Sequence, residues 1–226
     1  MCIRDSPKTD LINEIDFDLQ THIDTDLDLN ALTEEIELET EIEFTSGDFL
    51  EMSIRREREL FDKDFEIFDN IIISEGDYDY WRANAQLGTA QSRGVYGSIG
   101  SDLGLNDYLD GKRYGANGKI GWHPSSSLSM ELGGNFRWYE LKGGEFETII
   151  VDGSIRFTPT KKIALTTRVQ FDTVSNELGI NSRLRWMMNP ASDIYLVFNQ
   201  GFRRFDDRFD RTLTEGVVKA GWTFRF

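Results

Sequence analysis

Few side chains in this sequence are of the types that do chemistry. There are two histidines, His22 and His123, and one cysteine, Cys2. A nucleophilic serine needs a base held beside it. Ser98 and Ser129 are available, but no spacing singles them out. His123 adjoins Pro124 and reads as an exposed turn residue, and His22 reads as structural. No His/Cys grouping has metal-ligand spacing. Asp206, Asp207 and Asp210, flanked by Phe205 and Phe209, could offer carboxylates to a hard cation such as calcium. Arg203, Arg204, Arg208 and Arg211 interleave with them, so a salt-bridged loop is the expectation. Gly94, Gly97, Gly100 and Gly104 lack the strand-to-helix setting of a phosphate loop. The residues therefore predict no catalytic centre, no metal site and no cofactor.

Rows of like charge are the stronger signal. Glu37, Glu39, Glu41 and Glu43 recur at every second residue of an early segment. Arg156, Arg168, Arg183 and Arg185 fall on three successive later segments. In a strand, period two puts each set on one face. An acidic wall facing a basic wall would set a field across a pore. The competing expectation is a lumen closed by internal ion pairs, or charges simply solvated by water. Four guanidiniums on neighbouring strands need water or carboxylates such as Glu131, Asp152 and Asp172.

The elements that would hold these rows are strands. From Thr212 to Phe226 one face reads Val218, Ala220, Trp222, Phe224, Phe226 and the other Glu215, Val217, Lys219, Gly221, Thr223, Arg225. Strict alternation is a strand signal. The same rhythm recurs upstream, with apolar faces such as Ile36/Leu38/Ile42, Leu50/Met52/Ile54, Trp81/Ala83/Ala85/Leu87 and Leu128/Met130/Leu132/Phe136/Trp138. It continues in Ile149/Val151/Ile155/Phe157, Ile163/Leu165/Val169/Phe171 and Leu184/Trp186/Met188. The segment from Ile194 to Gly201 begins apolar on both faces, so its register is open. Aromatic residues gather at the two ends of the strands, Trp122, Phe157, Trp186, Phe224 and Phe226 at one and Trp81, Tyr114, Trp138 and Phe171 at the other, as in a two-girdle barrel.

Connections alternate in length. Short ones are expected at Ser46–Asp48, Ser92–Arg93, His123–Ser126, Thr158–Lys161 and Asn189–Ser192. Longer ones are expected at Leu60–Asp77, Asn106–Gly111, Leu141–Glu145, Val174–Gly179 and Arg203–Arg211. This parity predicts short periplasmic turns and longer outer loops. The run Ile71-Ile72-Ile73 is too apolar for a plain loop, and either extends the strands or folds inward.

With 29% charged residues and a net charge of −15, no window reads as a membrane helix, and nucleic acid is disfavoured as a partner. The 12% aromatic content argues against disorder. Residues 1–6 resemble the translation of a sequencing-library adapter and are set apart from residues 7–226.

The runs Val169–Asp172, Asn181–Trp186 and Asp193–Asn199, with Phe65–Ile67 and Gly76–Tyr78, carry a family resemblance. The chain from about Phe65 onward resembles the C-terminal β-barrel domain, of unknown function, of bacterial outer-membrane proteins that carry an N-terminal carbohydrate-binding family 9-like module. Ala191 stands where that pattern has glycine. The resemblance implies a carbohydrate ligand only through the upstream module, so no ligand residue is carried over. Members are sometimes labelled hydrolases, and nothing in this sequence supports that label.

The sequence thus predicts an all-β fold, an antiparallel up-and-down transmembrane β-barrel with about 10–12 strands. The expected location is the outer membrane of a Gram-negative-type bacterium. Expected partners are membrane lipid and, through the C-terminal strand ending at Phe226, the barrel-assembly machinery. The chain is expected to be the C-terminal part of a larger barrel. The leading function is a barrel serving a carbohydrate-binding module and passing a small polar solute. The alternative is a structural anchor with a plugged lumen, and a barrel-embedded hydrolase ranks last.

Overall fold

The computed structural model describes residues 2–5, 10–105, 107–206 and 208–223. It is all-β, and among the described residues there is no helix. The first strands are β1 (Cys2–Asp5), β2 (Ile12–Thr25), β3 (Ala31–Phe44), β4 (Phe49–Phe61), β5 (Phe65–Phe68), β6 (Ile71–Ile73) and β7 (Gly76–Gly88). Then come β8 (Val95–Leu105), β9 (Lys112–Ser125), β10 (Leu128–Leu141) and β11 (Gly144–Thr160). Last are β12 (Ile163–Asp172), β13 (Glu177–Asn189), β14 (Ser192–Phe205) and β15 (Arg208–Trp222). Apart from the β5–β6 hairpin, each strand is hydrogen-bonded to its neighbours in chain order, giving one 13-stranded sheet. Neighbouring strands from β1 to β8, with β4 beside β7, and from β11 to β15 pair antiparallel. This is the up-and-down architecture of β-barrel sheets, as expected. β1 pairs with β2, so residues set apart in the sequence reading form an edge strand here.

The chain forms two compact units. The first comprises Met1–Ala90, Gly97–Gly118 and Phe136–Glu147. Its pairings carry same-face rows across β2, β3, β4 and β7. One face holds Ile15–Ile42–Leu50–Leu87 and Leu19–Leu38–Ile54–Ala83. The other holds Asp16–Glu41–Glu51–Gln86, Asp18–Glu39–Ser53–Asn84 and Gln20–Glu37–Arg55–Arg82. A one-residue slip would exchange these faces, so the alternation sets the register. The apolar stretch of β3 from Ile36 to Phe44 spans about 27 Å along the strand at ~3.4 Å per residue. Trp81 lies at its edge, in line with Ile36 and Arg56. Beyond it the face turns ionic, with Arg56 on Asp79 and Arg58 on Asp77 at 2.6 Å.

The long connection folds inward. Its β5–β6 hairpin turns at Asn70, whose φ is +61° and whose N–H donates to Glu66 Oε1 at 2.6 Å. Ile71 and Ile73 are buried against Tyr80, Leu109 and Leu141. Phe68 stacks on Phe146 at 4.5 Å, and Tyr80 meets Tyr108 at 4.7 Å. Tyr80 lies on the polar face, one residue from outward Trp81, and donates to Glu59 Oε2 at 2.8 Å. Ile71 and Ile73 thus supply an apolar cap over Tyr80, while Ile72 between them is exposed.

The second unit comprises Gln91–Tyr96, Lys119–Asn135 and Thr148–Phe226. Apolar rows Ile163–Trp186–Ile194–Ala220 and Leu165–Leu184–Leu196–Val218 run across β12 to β15. Pairing to Trp186 and Leu184 fixes the face of Ile194 and Leu196, which local alternation leaves open. Tyr96 lies flat across Gly121, where an added Cβ would fall 2.0 Å from Cζ of the ring. Only glycine admits that contact.

Several connections differ from the sequence reading. β9 continues through His123 and Pro124 to Ser125, leaving Ser126 and Ser127 as the turn. β11 reaches Thr160, with an irregularity after Phe157, so the turn is Lys161–Lys162. At the other end β10 and β11 turn tightly at Lys142–Gly143. Arg203–Phe205 and Arg208–Arg211 belong to β14 and β15 instead of an outer loop, with Arg203 opposite Asp210 in register, Arg204 opposite Phe209 and Phe205 opposite Arg208. Inter-strand hydrogen bonds keep these polar segments extended, so strict alternation of short and long connections does not hold. Asn106, Asp207, Phe224, Arg225 and Phe226 lie outside the described residues. At Pro190–Ala191 the Asn189 side chain accepts the Ala191 N–H at 2.9 Å, and Ala191 keeps a negative φ. This turn does not require glycine.

Candidate functional site: two charged faces

In the second unit the predicted arginines share the polar face. Arg156 and Arg183 both lie opposite Thr166, and Arg168 lies between Ser154 and Asn181. Arg156, Arg168 and Arg183 border a cavity of about 500 Å³, together with Tyr96, Glu131 and Asn181. Arg185 opposes Ala164 on the same face, but it points to Asp193 at 3.2 Å and packs over the Tyr195 ring at 5.6 Å. None of the carboxylates expected to neutralise the patch forms an ion pair with it among the described residues. Glu131 accepts from Tyr96 Oη at 2.5 Å and from Ser154 Oγ at 3.4 Å. Asp172 accepts the Val174 N–H at 2.8 Å, and Asp152 packs beside Gly133. Among the described residues, Arg156, Arg168 and Arg183 have no ion-pair partner.

The first unit resolves its charges differently. Glu37 accepts from Arg55 at 2.6 Å, and Arg55 also approaches Glu35 at 3.5 Å and Glu57 at 3.3 Å. Glu57 accepts from Arg82 at 2.9 Å, and Arg82 reaches Asp102 at 3.5 Å. Asp102 also receives Arg113 and, at 3.6 Å, Arg137. The charges form a connected ladder from β3 to β10, four carboxylates against four guanidiniums. Arg113 is nearly buried beneath the Tyr108 and Tyr139 rings. Glu37 therefore belongs to an internal ion-pair network. Glu39, Glu41 and Glu43 lie opposite Asp18, Asp16 and Glu14 of β2, an acidic stretch that Arg55 does not reach. Glu39 and Glu51 border a smaller cavity of about 220 Å³. Sequence reading missed Arg82, Asp102 and Arg113 as network members. The available signal was one charge per strand on the polar parity at matching depth.

The remaining chemical candidates stay unassembled. His22 sits beside Asp24 at 3.1 Å, and both are exposed. His123 stacks on Tyr96 at 5.1 Å. Among the described residues neither histidine is hydrogen-bonded to Ser98 or Ser129, although His123 and Ser129 border one shallow cleft. No group of carboxylates, histidines or cysteines could hold a metal among the described residues. Among the described residues, the Arg203 side chain forms its ion pair with Glu177 and not with Asp206 or Asp210.

These faces define an up-and-down antiparallel β-sheet protein, apolar on one side and charged on the other. No family model matches the chain, and no curated protein matches it. Among solved structures, a NanC porin structure in a rhombohedral crystal form aligns with 86% of this chain and 94% of that chain, at 13% identity and a TM-score of 0.35. A likeness at that score bears on neither fold nor function.

Proposed function

We propose that this sheet forms the wall of an outer-membrane β-barrel whose polar face lines an aqueous path for a small polar solute. The carrying observation is the apolar face itself. Leu132, Ile155, Leu165, Trp186 and Val218 are large, solvent-exposed side chains of one parity. An apolar surface of that extent is unusual on a soluble protein and suits lipid contact. Apart from β1, β5 and β6 the strands run from 10 residues in β12 to 17 in β11, long enough for a tilted crossing of the hydrocarbon layer with extension beyond it. The family resemblance adds that the barrel serves a carbohydrate-binding module. Planar-bilayer recording of the refolded chain tests the path. Stepwise conductance is expected, and its absence from a protein shown to be inserted would overturn the solute-passing role.

The plugged anchor is the second reading, favoured by the β5–β6 cap and the closed charge ladder of the first unit. It predicts insertion without conductance, and conductance on removal of residues 65–73.

A further inference from the structure

Arg156, Arg168 and Arg183 surround Thr166 on the polar face. Strand spacing of about 4.8 Å places the Cα atoms of Arg156 and Arg183 roughly 10 Å apart, two strands from each other. Arg168 lies two residues along β12 from Thr166 and completes the triangle. Guanidinium side chains are long enough to converge on one group from these positions. The cavity they border is about 500 Å³, and Ser154, Thr166 and Asn181 provide neutral hydrogen-bonding groups between them. Its charged lining comprises these three arginines and Glu131, which accepts from Tyr96 and Ser154. The net lining charge is therefore two positive.

We propose that this triangle is a binding seat for the phosphate group of a small phosphorylated solute. The inference deepens the solute-passing reading by naming the solute class. A phosphate monoester near neutral pH is close to a dianion, which matches the lining charge, and guanidinium forks match its oxygens. The cavity leaves room for an organic group beside the phosphate. The arginines lie on the face opposite Leu165, Leu184 and Ile155, so the seat is directed away from the lipid-facing side chains. That favours a dissolved phosphate over a lipid headgroup.

The test uses the full chain refolded in detergent micelles, titrated calorimetrically at low salt with orthophosphate and separately with acetate. Phosphate should bind more tightly than acetate, and its affinity should fall as salt rises. Arg168→Gln and Arg183→Gln should each weaken phosphate binding about ten-fold, the scale of one lost charge-assisted hydrogen bond. Arg185→Gln, whose side chain is held by Asp193, should leave it unchanged. Equal affinity for the two anions, or binding indifferent to both substitutions, would overturn the seat. Phosphate should also protect Arg156, Arg168 and Arg183 of the unaltered chain from phenylglyoxal, read by mass spectrometry. Unprotected arginines would refute the proposal even if the variants fail to fold. Equal protection by phosphatidic acid in mixed micelles would refute the dissolved source. Binding in micelles needs no open path, so these outcomes are independent of the conductance result.

Discussion

Replacing Asp102 with asparagine tests whether the ladder of the first unit is a structural device. Asp102 is the junction at which Arg82, Arg113 and Arg137 meet. Side-chain exposure is 14% for Asp102 and 6% for Arg113. That pair approaches the buried limit, where removing one partner costs about 3–5 kcal/mol because the other charge is left uncompensated. Arg82 and Arg137 are more exposed, at 20% and 33%, and water replaces part of what they lose. The expected loss is therefore about 3 kcal/mol, dominated by Arg113. Arg203→Gln breaks a pair that is 46% exposed on both sides and should cost about 0–1 kcal/mol. Denaturant-dependent folding in micelles, followed by tryptophan fluorescence and by heat-modifiable gel mobility, measures both. Substituting Asp102→Leu together with Arg113→Met should recover much of the loss, since apolar replacement of a buried pair is often near neutral. An Asp102→Asn cost no larger than that of Arg203→Gln would show that water, not Asp102, neutralises these arginines.

On the apolar face, Leu132→Arg or Leu165→Arg should cost about 2–4 kcal/mol if the site is at mid-membrane, against much less for Ser129→Arg or Thr166→Arg. Equal costs in the same folding assay would mean that this face does not meet lipid. Gly121→Ala should destabilise by about 1–3 kcal/mol through overpacking against Tyr96, and combining it with Tyr96→Ala should relieve the clash; an undiminished cost in the double variant would assign the penalty to the backbone instead. Cysteine labels at Val174–Ser175 and at Pro190–Ala191 lie at opposite ends of β13, so a membrane-impermeant reagent on intact cells should reach the first and not the second. Reversed accessibility would invert the assigned orientation.

Much of the fold was legible because a strand has a side-chain period of two. Ile163, Leu165, Val169 and Phe171 named their own face, and the bounds of β12 follow directly from them. The parity that put Arg156, Arg168 and Arg183 opposite that face is equally local. Turn positions were less legible, because serine, proline and arginine near a strand end suit either a turn or an extended segment. The neighbouring strand decides, as when the backbone of Arg203 falls in register with Asp210 of β15.

What the sequence alone determined is the alternation: which side chains share a face, and hence that one side of the sheet is apolar and the other charged. Tertiary structure alone decided which charges cancel. Asp102 meets Arg82, Arg113 and Arg137 across three other strands, whereas Glu131 is taken by Tyr96 and Ser154 and, among the described residues, leaves Arg156, Arg168 and Arg183 without an ion-pair partner. It also decided that Ile71 and Ile73 close over Tyr80 instead of extending the wall. Period-two alternation is written into consecutive residues. Ion pairs and cap contacts depend on depth and register between strands far apart in the chain, which no local window contains.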